Sequence, residues 1–136
     1  MKLQISNQKY ISKLQAEFSA MFPFLKVEFF SKPHKIGKGT SKDYMTKAAT
    51  TIGACRTTET EGDLEFDSSI TVNELESKFK EQFGLNVQVF RKSGKLWLET
   101  TATDNWTLAA QNKQGEELDY VQDDPKDEEI DYHEQE

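Results

Sequence analysis

Apolar residues recur at two spacings along this chain, and the switch between them predicts its elements. Tyr10, Leu14, Phe18 and Phe22 stand four apart, the stripe of an amphipathic helix. Directly afterwards Leu25, Val27 and Phe29 alternate with Lys26, Glu28 and Phe30, the period of a strand. The pattern then returns. A stripe at Leu75, Phe79 and Phe83 leads into Leu85, Val87 and Val89, with Ile70-Thr71 ahead of it as Ile5-Ser6 stands ahead of the first. Each copy reads as a helix running into a strand that ends in a basic turn, at Ser31-Lys32 and at Arg91-Lys92. Neither helix can bury its stripe without a sheet beneath it, so a duplicated α-β unit predicts helices layered on one sheet face.

The remaining elements follow from punctuation. Residues 2–5 read as a short first strand, and the first helix runs from Ser6 as N-cap to Phe22, where Pro23 stops it. Residues 32–42, with Pro33, Gly37 and Gly39, form a loop. Ser41 caps a short helix through Ala49, and the β-branched run Thr50, Thr51, Ile52 starts a strand toward Thr58. Residues 59–63 make a turn and 64–66 a strand. The second helix has the clearest start: Thr71 and Glu74 form a capping box, Ile70 and Leu75 a hydrophobic staple. Gly84 closes it as a C-cap. A hairpin turning at Ser93-Gly94 sets Lys92 against Lys95, Phe90 against Trp97 and Val89 against Leu98. Val87, Val89, Leu96 and Leu98 then share the face under the helices, and Phe90 and Trp97 share the other. A third helix over residues 105–113 is capped by Asp104 and closed by Gly115. It could cover the Phe90–Trp97 face through Trp106 or Leu108.

The predicted fold is α+β: a mainly antiparallel sheet with two helices on one face, built from two α-β-β-like repeats, plus a third short helix and an acidic C-terminal tail. Residues 1–115 form a single domain, with repeats at about 2–58 and 63–101, and residues 116–136 a tail expected to be disordered.

Composition changes this picture in two ways. No apolar run approaches the ~18 residues of a membrane span, and residues 1–7 lack the apolar core of a secretion signal. With a single cysteine, Cys55, these features predict a cytoplasmic protein that does not associate with membranes. Secondly, the net charge of −7 is unevenly spread: residues 116–136 hold eleven acidic residues against Lys126, a balance of −10 that leaves residues 1–115 at +3. The body is mildly basic and the tail strongly acidic.

Candidate binding residues are Lys32, His34, Lys35, Lys38 and Lys42 in the first loop, and Phe90, Arg91, Lys92, Lys95 and Trp97 on the hairpin. The loop gathers lysines around two glycines, a setting in which amides and ammonium groups meet phosphates. It is not a P-loop, because Gly37-Lys38 is followed by Gly39 and position 32 is Lys. Aromatics beside lysines on a sheet face are what single-strand binders use for stacking. The commoner explanations are a solvated basic loop and an aromatic face covered by another element.

Enzyme signatures are sparse. His34 and His133 lack metal-ligand spacing to any Cys or His, and Cys55 has only Arg56 as a charged neighbour. The expectation is no catalytic residue, no metal and no cofactor.

The run from Gly84 through Gly94, with Trp97-Leu98-Glu99-Thr100-Thr101 and Asp104-Asn105-Trp106-Thr107-Leu108, resembles a family of small bacterial proteins with no assigned activity. The resemblance implies a bacterial cytoplasmic setting and transfers no functional residue. The function expected from the sequence is a non-catalytic module binding another protein or a second copy of itself as a homodimer. The alternative is nucleic-acid or polyanion binding through residues 32–42 and 91–95 with aromatic stacking, regulated by the acidic tail.

Overall fold

The computed structural model describes residues 1–31 and 44–120. The elements are β1 (Lys2–Ile5), α1 (Ile11–Met21), β2 (Leu25–Phe30), β3 (Gly62–Glu65), α2 (Val72–Phe83), β4 (Asn86–Ser93), β5 (Leu96–Glu99) and α3 (Leu108–Tyr120). The fold is α+β. Its strands lie in two antiparallel sheets, β1 with β3, and β2, β4 and β5 in that spatial order. Residues 32–43 and 121–136, which hold the first basic loop and most of the acidic tail, are outside the described residues.

Pairing between β2 and β4 sets Leu25 opposite Arg91, Val27 opposite Val89 and Phe29 opposite Val87. Because side chains alternate along a strand, these residues share one face. All three helices lie on it. Leu14 and Phe18 of α1, Leu75 and Phe79 of α2, and Leu108 at the start of α3 join Leu25, Val27, Phe29, Val87 and Val89 in one buried core. Phe29 and Phe79 meet edge to face, with ring centroids 6.1 Å apart. α3 therefore does not cover the Phe90–Trp97 face. Leu108 belongs to the core on the opposite side, and Trp106 is among the most exposed large hydrophobic residues.

The helix starts show where backbone hydrogen bonds decided the fold. α2 has the expected capping box and closes at Gly84 with φ 64°, the left-handed C-cap. α1 begins at Ile11, not after Ser6, and its N-cap Tyr10 makes no side-chain capping bond. Its first amides are met by distant carbonyls: Ile11 N–H donates to Thr50 O (2.9 Å) and Ser12 N–H to Ala48 O (3.0 Å). In return Ile52 N–H donates to Lys9 O (2.8 Å) and Gly53 N–H to Asn7 O (3.1 Å). The same reciprocal set joins the starts of α2 and α3. Val72 and Asn73 donate to the carbonyls of Trp106 and Asp104, and Leu108 and Ala109 donate to those of Ile70 and Ser68.

Three sequence expectations are corrected here. The β-branched run at Thr50 does not make a strand: Thr51 forms one bridge with Tyr10, and Gly53–Cys55 is a 3-10 turn. Its backbone is engaged in closing α1. Of the short helix expected from Ser41 to Ala49, residues 41–43 are outside the described residues and residues 45–49 are not helical; instead Ser31 N–H donates to Tyr44 O (2.8 Å) and Thr46 N–H to Phe29 O (2.7 Å), a bridge beside the end of β2. The third helix starts after Thr107, whose hydroxyl accepts from Ala110 N–H (3.1 Å), and it runs through Gly115 to Tyr120.

Candidate interaction face

Opposite the helices, the sheet presents Lys26 and Glu28 of β2, Gln88, Phe90 and Lys92 of β4, and Trp97 and Glu99 of β5. The hairpin that frames this face turns one residue later than the sequence suggested. Ser93 pairs with Leu96, so Gly94-Lys95 are the central residues, and Gly94 alone has positive φ (61°), the requirement of a type II′ turn. Lys92 then lies opposite Trp97 and Phe90 opposite Glu99. The pairing has slipped by two residues, an even number, so every side chain keeps its predicted face.

Burial divides the face. Phe90 is 2% exposed, Gln88 1% and Glu99 4%, so they form its floor. Lys26, Glu28, Lys92 and Trp97 are half-buried, and Lys95 is exposed in the turn. The Lys26 ammonium lies 5.0 Å from the Trp97 ring centroid and 5.6 Å from that of Phe90. It is also 3.2 Å from the Glu28 carboxylate. An ammonium over an aromatic ring is worth about 0.5–2 kcal/mol depending on its desolvation, which fixes the Lys26 side chain against the indole. Neither polar atom of the Gln88 amide has a hydrogen-bond partner among the described residues.

Arg91 is elsewhere. Sharing the parity of Val89, it points toward the helices, is 3% exposed, and donates from Nη1 to Gln111 Oε1 at 2.9 Å. Gln111 Nε2 donates to the carbonyl and hydroxyl oxygens of Thr103, both at 2.9 Å, and the guanidinium lies 5.7 Å from the Trp106 ring. Burial pushes the Arg91 pKa down from its ordinary value. Its role is to anchor α3. The structure thus keeps Phe90, Lys92, Lys95 and Trp97 together and separates Arg91 from them. Lys32, His34, Lys35, Lys38 and Lys42 are outside the described residues.

Two residues of the face were not foreseen, Lys26 and Glu28. Their alternation with Leu25, Val27 and Phe29 was visible, but not that β2 would lie beside β4.

Other reactive groups have structural roles. Cys55 is half-buried and its thiol contacts Ile52 O at 3.3 Å; burial raises its pKa against the weaker opposing pull of Arg56. Arg56 itself ties three segments together, donating to Asn7 Oδ1 from Nη2 (2.7 Å) and Nε (3.1 Å), and to Phe83 O from Nη1 (2.8 Å). A cleft of about 540 Å³ lies along the outer side of α2 between Phe66 and Glu81. Two of its three carboxylates are committed to local structure, Asp67 accepting from Ser69 N–H (2.9 Å) and Glu74 from Thr71 N–H (2.9 Å). Among the described residues no group of three or more His, Cys, Asp or Glu side chains is placed to hold a metal ion. Nor is any helix among them long and apolar enough to cross a membrane.

Comparison of the chain with protein-family models, with curated proteins and with solved structures finds no match.

Proposed function

We propose that this chain is a non-catalytic interaction module of the bacterial cytoplasm, binding another protein through the outer face of the β2–β4–β5 sheet. The observation that carries the reading is Trp97. A half-buried indole sits above a closed floor of Phe90, Gln88 and Glu99, with Lys92 opposite it and Lys26 at 5.0 Å. A rigid aromatic anchor with a charged rim is the usual composition of an interface centre. The bacterial and cytoplasmic setting is supported by the family resemblance over residues 84–108 and by the single cysteine.

Nucleic-acid binding has less support from this face. Phe90 is too buried to stack on a base, Arg91 points to the helices, and Glu28 places a carboxylate beside Lys26.

The test is selection of a displayed peptide library on the intact chain, with Trp97→Ala as counter-target. Because the indole is only half-buried, that variant keeps its circular dichroism and melts within a few degrees of the parent. Peptides that bind the parent and not the folded variant support the reading. Unfolding of Trp97→Ala, or a lack of any binder that needs Trp97, refutes it.

A further inference from the structure

The cleft along the outer side of α2 is separate from the Trp97 face, since the helices pack on the opposite side of the sheet. We propose that it binds a small organic cation: an ammonium group on a short chain, held at Glu81 and Ser77, with a flat apolar body against Phe66 and Ile70.

Size and lining point to a ligand. A volume of about 540 Å³ lies in the range of small-molecule sites. One wall is apolar: Phe66, 8% exposed, and Ile70, half-buried, come from the segment between β3 and α2. The other wall is the face of α2 on which Asn73, Ser77 and Glu81 recur at every fourth residue, a row with steps of about 6 Å. None of these three side chains makes a hydrogen bond or ion pair among the described residues. Asn73 and Ser77 are half-buried, so their polar groups line the cleft without a protein partner.

Charge decides the sign of the ligand. Asp67, Glu74 and Glu81 stand against one cation, Lys78, which leaves the lining at −2. The Lys78 ammonium donates to Glu65 O (2.7 Å). Its pull on the Asp67 and Glu74 pKa values is weaker than that of the bonds from Ser69 and Thr71, so it does not neutralise the cleft. Glu81 is the carboxylate left for a ligand. It stands in the last turn of α2, where the helix carbonyls add negative potential. A cation bound there meets both, whereas an anion of the same shape meets three carboxylates and is rejected.

The probe is tryptamine, an indole joined to an ammonium by two carbons. Indole-3-propionate, the same ring and linker ending in a carboxylate, is the control. Each is titrated to about 10 mM into the full isotope-labelled chain at about 50 and 200 mM salt, with backbone amides followed by NMR. The expected result is saturable shifting by tryptamine of amides between residues 66 and 81, weaker at the higher salt, with little response to the control. Affinity falls about fivefold in Glu81→Gln and further in Glu81→Lys. Both variants keep the parent's melting temperature within a few degrees, because Glu81 is exposed. Trp97→Ala binds tryptamine as the parent does, so failure at the sheet face and failure at the cleft are read separately. Equal response to indole-3-propionate, unchanged affinity in Glu81→Gln, or no saturable shift of the cleft amides overturns the proposal. Loss of tryptamine binding in Trp97→Ala overturns it too, by placing the probe on the sheet.

Discussion

Gly115 provides the sharpest test of the packing. In the interior of a helix, replacing Gly by Ala normally stabilises by about 1 kcal/mol, because the backbone loses less freedom on folding. Here that gain is opposed. A Cβ added to Gly115 would lie 2.8 Å from Phe24 Cβ, and 3.2 Å from both Phe24 O and Arg91 Cγ. The closest atom is the first of its side chain, so rotating the phenyl ring cannot relieve the contact. The backbone is also pinned: Phe24 N–H donates to Asn112 Oδ1 (2.9 Å), and Phe24 O accepts from Lys92 N–H (2.9 Å). Overpacking of this kind costs about 1–3 kcal/mol. Set against the helix gain, Gly115→Ala should destabilise by about 1 kcal/mol and lower the melting temperature by about 3–5 °C in a domain of this size.

The assay is urea denaturation of parent and variant followed by circular dichroism, with hydrogen exchange of the α3 amides as a local readout. Loss of docking should raise exchange in α3 before it raises exchange in α2, because Asn112, Gly115 and Gln111 all make their contacts on one side of α3. A variant more stable than the parent by the full helix increment would refute the reasoning. In that case α3 would not approach β2 and β4 as closely as the structure shows.

Three other outcomes are expected. Glu76→Ala should cost about 1–3 kcal/mol in urea denaturation and Glu76→Gln less: Glu76 is 8% exposed and its carboxylate accepts from Val89 N–H (3.1 Å), which truncation leaves buried without that acceptor. Below the ordinary carboxylate values of 4.5 for Glu74 and 3.8 for Asp67, the parent should lose stability as pH falls. Bonds from Thr71 lower the Glu74 pKa and bonds from Ser69 lower that of Asp67, so their contributions are complete above those values and vanish through the lower folded ones; Thr71→Ala should flatten this acid limb in a pH series of thermal melts. Gln88→Leu should leave stability unchanged or raise it by about 1–2 kcal/mol, since it removes two buried polar atoms that lack partners; a loss above 1 kcal/mol would show that the amide is satisfied after all.

Much of the fold was legible because burial imposes a period. The four-residue stripes and the alternation after them located α1, β2, α2 and β4, and the Thr71–Glu74 box marked the start of α2. Misreadings cluster where a distant backbone, not a local side chain, satisfies the amides. Ser6 was a plausible cap, but α1 takes its acceptors from Ala48 and Thr50, which also denies the following β-branched run a strand. Gly115 was read as a stop because glycine usually is one; its absent side chain instead admits Phe24. Gly94 can serve as the first or second central residue of a two-residue turn, and the sequence could not choose. Reciprocal backbone bonds of the same pattern close the start of α1 and the starts of α2 and α3, a correspondence no single stretch of sequence displays.

The binding reading depends on the same alternation. In sequence, Arg91, Lys92 and Lys95 form one basic cluster, and a cluster suggests a polyanion. A strand does not present consecutive residues to the same solvent. Arg91 follows Val89 into the helices and bonds Gln111, while Lys92 follows Phe90 to the outer face and stands opposite Trp97. The outer face therefore carries Lys92 and Lys95 near one indole, with Lys26 held between that indole and Glu28. Two charges are too few to track a phosphate backbone, whose binding strength grows with each phosphate neutralised.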